Sequence, residues 1–122
     1  MSMIVTNLNK IDLARARNQE IEMPEVTHIA VGTGGMDGES PRVPVASETA
    51  LVTETIRKLA THVSRTDNKN KWQIQLSASE GNGQAISEIG LFNNSTLLAV
   101  ETFLPKNKDE NSVFTFEIEE EF

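Results

Sequence analysis

The 122-residue sequence contains no cysteine and no tyrosine, and its large rings amount to five phenylalanines and one tryptophan. Without cysteine there is no disulfide, no thiolate nucleophile and no Cys-ligated zinc, whatever the redox state of the surroundings. Positive charge is scarce as well: 11 Lys+Arg stand against 18 Asp+Glu, a formal net charge of -7. That balance argues against a surface that wraps DNA or lies on an anionic membrane. No stretch approaches the ~18 continuous apolar residues of a membrane span, and the N-terminus lacks a basic region followed by an apolar core. Secretion by a signal peptide and membrane insertion are therefore not expected.

Hydrophobic residues make up 38% of the chain, enough for one core at this length. With roughly 150 residues per domain as a guide, one domain over residues 1–122 is expected, and a two-lobed enzyme with an interdomain cleft is not.

Residues 4–18 read as a helix, because Ile4, Leu8, Ile11 and Ala14 recur at spacings of four and three, with Thr6 or Asn7 placed as a cap. Arg15 and Arg17 near its end suit the negative pole of the helix dipole and require no ligand. Pro24 interrupts any helix, and residues 26–31 form a β-rich run that reads as a first strand. Residues 32–44 hold four glycines and two prolines, which predicts a surface loop of about a dozen residues. Residues 46–51 suggest one helical turn capped by Ser47, and residues 52–66, rich in β-branched side chains, a long and bent strand. Trp72, Ile74, Leu76 and Ala78 then alternate with polar residues at period two. Strands over residues 85–92 and 96–104 flank an Asn93-Asn94-Ser95 turn, residues 105–111 read as a charged loop, and Phe114, Phe116 and Ile118 mark a last strand. About six strands, one N-terminal helix and no alternation of strand with helix predict a mainly β protein, an antiparallel sandwich or open barrel.

Chemistry-bearing motifs are few. Gly32, Thr33, Gly34, Gly35, Met36, Asp37 and Gly38 superficially resemble a phosphate-cradling turn, but a dinucleotide fingerprint requires a helix opening at the third glycine, and Pro41 and Pro44 prevent one. The segment reads instead as a flexible or partner-facing loop. His28 and His62 each lie on a strand with no second histidine at metal-ligand spacing, and no Gly-x-Ser-x-Gly elbow is present. No catalytic, cofactor-binding or metal-binding residue is assigned. Glu88 sits in an apolar segment where an unpaired charge is costly, and Glu54 with Arg57 flanks a similar one. The three read as ion-pair residues tying strands together, with Arg57, His28 or backbone amides as partners for Glu88. Glu54 and Glu88 as a glycosidase acid/base pair is the competing reading. Glu117, Glu119, Glu120 and Glu121 read as the solvated face of an edge strand.

Three blocks in order carry a resemblance: THIAVGTGG at residues 27–35, ETALVTETIR at 48–57, and ISEIGLF at 86–92 followed by LLAV at 97–100. Together they resemble the N-terminal domain of phage tail-collar fibre proteins, whose pattern has an AVGDGG-like loop, a TALxxExxR block and an REIGLF strand. The sequence departs from that pattern at Thr33, where Asp is common, and at Ser87, where Arg is common. The resemblance implies a non-enzymatic part of a phage, prophage or phage-like tail that fastens a fibre or neighbouring protein to the baseplate. It implies no cofactor, and partners among baseplate or tail-fibre proteins rather than nucleic acid or membrane; a homo-oligomer is compatible with it. The location implied is the virion or tail-like particle, after synthesis in the bacterial host cytoplasm. Since the sequence carries no fibrous shaft or receptor-binding tip, a stand-alone attachment module is expected. The alternatives are a carbohydrate-binding adhesin, which requires exposed aromatic rings, and the small glycosidase above.

Overall fold

The computed structural model describes residues 3–122, so the first two residues of the expected single unit lie outside the described residues. The longest run of buried residues lies on β8 (Ala85–Asn93), from Ile86 to Phe92. A strand buried on both faces belongs in the middle of a sheet covered on both sides, and β8 takes that place in the five-stranded antiparallel order β1-β9-β8-β2-β5. Its companions are β1 (Met3–Val5), β2 (His28–Gly32), β5 (Glu54–Leu59) and β9 (Thr96–Asn107). A second sheet, in the order β10-β7-β6, comprises β6 (Thr61–Thr66), β7 (Lys69–Leu76) and β10 (Phe114–Glu121). The period-two residues Ile74 and Leu76 of β7 and Phe116 and Ile118 of β10 face Ile29, Val31, Ile89 and Leu91 of the first sheet and form the main core. The opposite face of the first sheet carries a smaller cluster, Ala30, Phe92, Leu97 and Val100, capped by Leu51 from the long connection between β2 and β5. The protein is mainly β, with open antiparallel sheets and no closed barrel.

Several local expectations are corrected. The helix α1 (Asn7–Arg17) starts three residues later than the sequence spacing suggests, because Thr6 is its N-cap and accepts from the Asn9 amide at 3.2 Å. Residues ahead of the cap pair with β9, Ile4 opposite Val100, so β-branched Ile4 and Val5 join a sheet edge. The helix also turns a different side inward. Asn9 is its buried residue, bonded through Nδ2 to the Leu98 carbonyl at 3.2 Å, whereas Leu8 and Ile11 are exposed. Residues 46–51 form turns, not a helical turn. The expected bent strand of residues 52–66 is two strands in different sheets, β5 and β6, parted at Ala60, whose amide bonds to the Thr27 carbonyl at 3.0 Å. β9 extends through Pro105 to Asn107, residues expected in a loop. The glycine-rich connection holds a small hairpin, β3 (Met36–Asp37) and β4 (Ser40–Pro41), turned at Gly38 with φ 66°.

Candidate functional site

The connection between β2 and β5 crosses the outer face of the first sheet, and one side chain organises it. Glu88 on β8 is fully buried. Its Oε2 accepts from the amides of Gly34 at 2.7 Å and Thr53 at 2.8 Å, and its Oε1 from the amide of Val52 at 2.8 Å and from Arg42 Nη2 at 3.3 Å. A carboxylate holding donors on both oxygens is compensated for its burial and serves as an internal anchor. Arg42 extends the network: Nη1 donates to Glu48 Oε1 at 2.8 Å, Nε to the Gly34 carbonyl at 3.0 Å, and its own carbonyl accepts from Thr102 Oγ1 at 2.6 Å. Glu48 closes the turn by accepting from the Val45 amide at 2.6 Å.

The glycines make this approach possible. A Cβ on Gly34 would lie 2.6 Å from Glu88 Oε2 and from Val52 Cβ, and one on Gly35 would overlap the Ser87 carbonyl. The Gly35 amide donates to Ser87 Oγ at 2.9 Å. Thus Ser87, where the family pattern has Arg, acts as a buried acceptor for the loop. Of the expected loop residues, Gly32 pairs with Ile89's neighbour Glu88 across the sheet, the Thr33 amide bonds to the Thr53 carbonyl at 3.1 Å, and Met36, Asp37 and Gly38 form the first strand and the turn of the β3–β4 hairpin.

Glu54 and Arg57 form a second, separate pair. Arg57 Nη2 and Nε meet Glu54 Oε1 and Oε2 at 2.7 and 3.0 Å, Nη1 donates to the Asn94 carbonyl at 2.8 Å, and the guanidinium lies 3.8 Å over the Phe92 ring. The partners of Glu88 are therefore Arg42 and backbone amides, not Arg57 or His28. His28 Nδ1 lies 2.8 Å from Thr27 Oγ1, and His62 stands on the other sheet against Trp72. Both oxygens of Glu54 and of Glu88 are engaged, an arrangement of ion pairs in place of a free acid and base. Among the described residues Phe122 is the one exposed aromatic ring, and no group of three or more His, Asp or Glu side chains is placed to hold a metal ion. No helix among the described residues is long and apolar enough to cross a membrane.

Sequence reasoning missed two residues. Arg42 carries no local signal, being a single basic residue between Pro41 and Val43. Glu120 was readable: it continues the inward parity of Phe116 and Ile118 and is buried, whereas Glu117, Glu119 and Glu121 are exposed as expected of a solvated strand face.

The anchored connection presents what it does not bury. Val43 is 84% exposed, and Val45 and Val52 are also exposed. The start of α1 lies alongside, the Asn7 amide bonding to the Ala46 carbonyl at 2.7 Å, and that helix displays Ile11 at 56% exposure. The fold and this geometry define a β module in which Glu88 and Arg42 are committed to architecture and whose loop and helix carry exposed apolar side chains. Residues 1–114 match the family described as phage tail-collar fibre protein, N-terminal, and the chain belongs to that family. It is accordingly a structural component of a phage tail, a setting in which it meets other tail proteins. No curated protein and no solved structure matches it.

Proposed function

We propose that the protein works by docking, attaching a fibre or neighbouring tail protein to the baseplate through the connection after β2 and the outward side of α1. The reading is supported most by one observation: apolar side chains such as Val43 and Ile11 stay exposed on segments otherwise fixed by hydrogen bonds. Exposed apolar residues on a held loop suit an interface, since little ordering entropy is lost on binding. The partner surface includes residues 32–38, which lead into the β3–β4 hairpin. In this reading residues 1–122 act as one unit without catalytic activity, in the particle after synthesis in the host cytoplasm. Binding involves neither nucleic acid nor membrane, and self-association is compatible with it.

The test is recovery of baseplate proteins on immobilised wild-type protein and on an Ile11→Glu, Val43→Glu double variant, with thermal melts confirming that both are folded. Loss of a specific tail partner in the variant supports the reading. Equal recovery by both forms removes these residues from the interface, and recovery of none by the wild type overturns the attachment role.

A further inference from the structure

Glu120 lies at the end of the inner face of β10, 7% exposed. Its Oε1 accepts from Trp72 Nε1 at 3.1 Å, a neutral donor. None of the ion pairs among the described residues includes Glu120. Burial pushes its pKa up, against hydrogen bonding from Trp72 and Asn70 and the charge of His62, whose ring meets Trp72 edge-on at 4.8 Å between centroids and whose Nε2 lies 3.1 Å from Asn70 Oδ1. Buried carboxylates are ordinarily matched by a cation or several donors, as Glu88 is here. Glu120 has acceptor capacity left over.

That carboxylate lines a cavity of about 370 Å³ between α1, the chain at residues 23–26 and the second sheet. The volume falls within the ~300–1,000 Å³ of sites that hold a ligand. Leu13, Met23, Pro24 and Trp72 give it apolar walls, Glu25 adds a second carboxylate, and no lysine or arginine lines it. Met23 is exposed at the mouth.

We propose that this cavity receives an arginine side chain presented by a partner protein, the guanidinium meeting Glu120 and the aliphatic stem lying against Met23, Pro24 and Trp72. Charge complementarity selects a cation. Arginine rather than lysine follows from the walls: a guanidinium is more weakly hydrated than an ammonium, forks onto a carboxylate, and packs favourably beside an indole. Buried arginines of this kind are frequent anchors of protein interfaces. The socket lies on the inward side of α1, so the proposal is independent of docking through Ile11 and Val43.

Trp72 is the only tryptophan, which gives the site its own reporter. Its indole N–H resonance is followed in the isotope-labelled chain during titration with the capped tripeptides Gly-Arg-Gly and Gly-citrulline-Gly, which match in shape and differ in charge. The arginine peptide is expected to give a saturable shift with a dissociation constant in the millimolar range, and the citrulline peptide to bind at least about tenfold more weakly. In Glu120→Gln the preference is expected to disappear. Equal shifts by both peptides in the wild type, no shift by either, or an unchanged preference in a folded Glu120→Gln variant would each overturn the proposal. Should that variant not fold, the wild-type contrast between the two peptides decides. None of these results bears on recovery of baseplate proteins.

Discussion

Replacing Glu88 with alanine strips the shared acceptor from the amides of Gly34, Val52 and Thr53 and from the guanidinium of Arg42. A buried donor left without a partner costs ~1–3 kcal/mol, and removing one member of a buried charge pair ~3–5 kcal/mol; these are overlapping accounts of the same loss and do not add. A loss of ~3–5 kcal/mol is the expectation, a large share of the ~5–15 kcal/mol that holds a domain of this size folded. At ~4 °C per kcal/mol for a chain of intermediate length, the melting temperature falls by about 12–20 °C. Urea unfolding supplies the free energy and amide hydrogen exchange the location, with Gly34, Val52 and Thr53 losing protection first. Arg42→Ala is expected to cost less, since Glu88 keeps its three amides. A Glu88→Ala variant within ~1 kcal/mol of wild type, its three amides as protected as before, would refute the idea that one carboxylate anchors the connection.

Gly35→Ala is expected to lose about 3 kcal/mol or more, because the new methyl meets the Ser87 backbone; Gly38→Ala, with open space but φ 66°, should lose only ~1 kcal/mol, and similar denaturation midpoints for the two would contradict the close-approach argument. Glu80 is held down to about 2 from 4.5, chiefly by its hydrogen bond from Lys58 and then by the Ser77 amide. A depressed folded value means its stabilising contribution is complete above pH 4.5 and is lost as pH falls toward 2. A carboxyl titration should give that low midpoint, and Lys58→Met should return it toward 4.5; an unmoved midpoint would break the assignment. Glu101 is displaced the other way by burial, from 4.5 upward. Its unfolded form ionises first as pH rises past 4.5, so the folded state loses stability until Glu101 ionises there too, and Glu101→Gln should melt higher than wild type at neutral pH but not in acid. An equal difference at both pH values would count against burial as the cause.

The strands were legible where the alternation was clean. Trp72, Ile74 and Leu76, and Phe114, Phe116 and Ile118, have the period two of half-buried strands, and they line the core of the second sheet. Legibility failed where tertiary pairing overruled local pattern. Ile4 has helical spacing to Leu8 and Ile11, but its backbone finds an open edge on β9, and Asn9 wins the inward side of α1 by bonding to the Leu98 carbonyl. Ala60 divides two strands because they belong to different sheets, which no local property of residues 52–66 reveals. Burial of Glu88 followed from its apolar neighbours, whereas Arg42 lies 46 positions away and only the folded chain brings it there. Glycines 34 and 35 signalled a loop correctly; their purpose, admitting backbone against β8, depends on a contact about 50 residues downstream.

A photo-crosslinking amino acid at position 43, incorporated into assembled particles, tests the docking account most directly. Val63, 44% exposed on β6 and away from the connection, supplies the control position. The account predicts an adduct between position 43 and another tail protein, with none from position 63. Adducts to tail proteins from position 63 and none from position 43 would place the partner on the second sheet and contradict it.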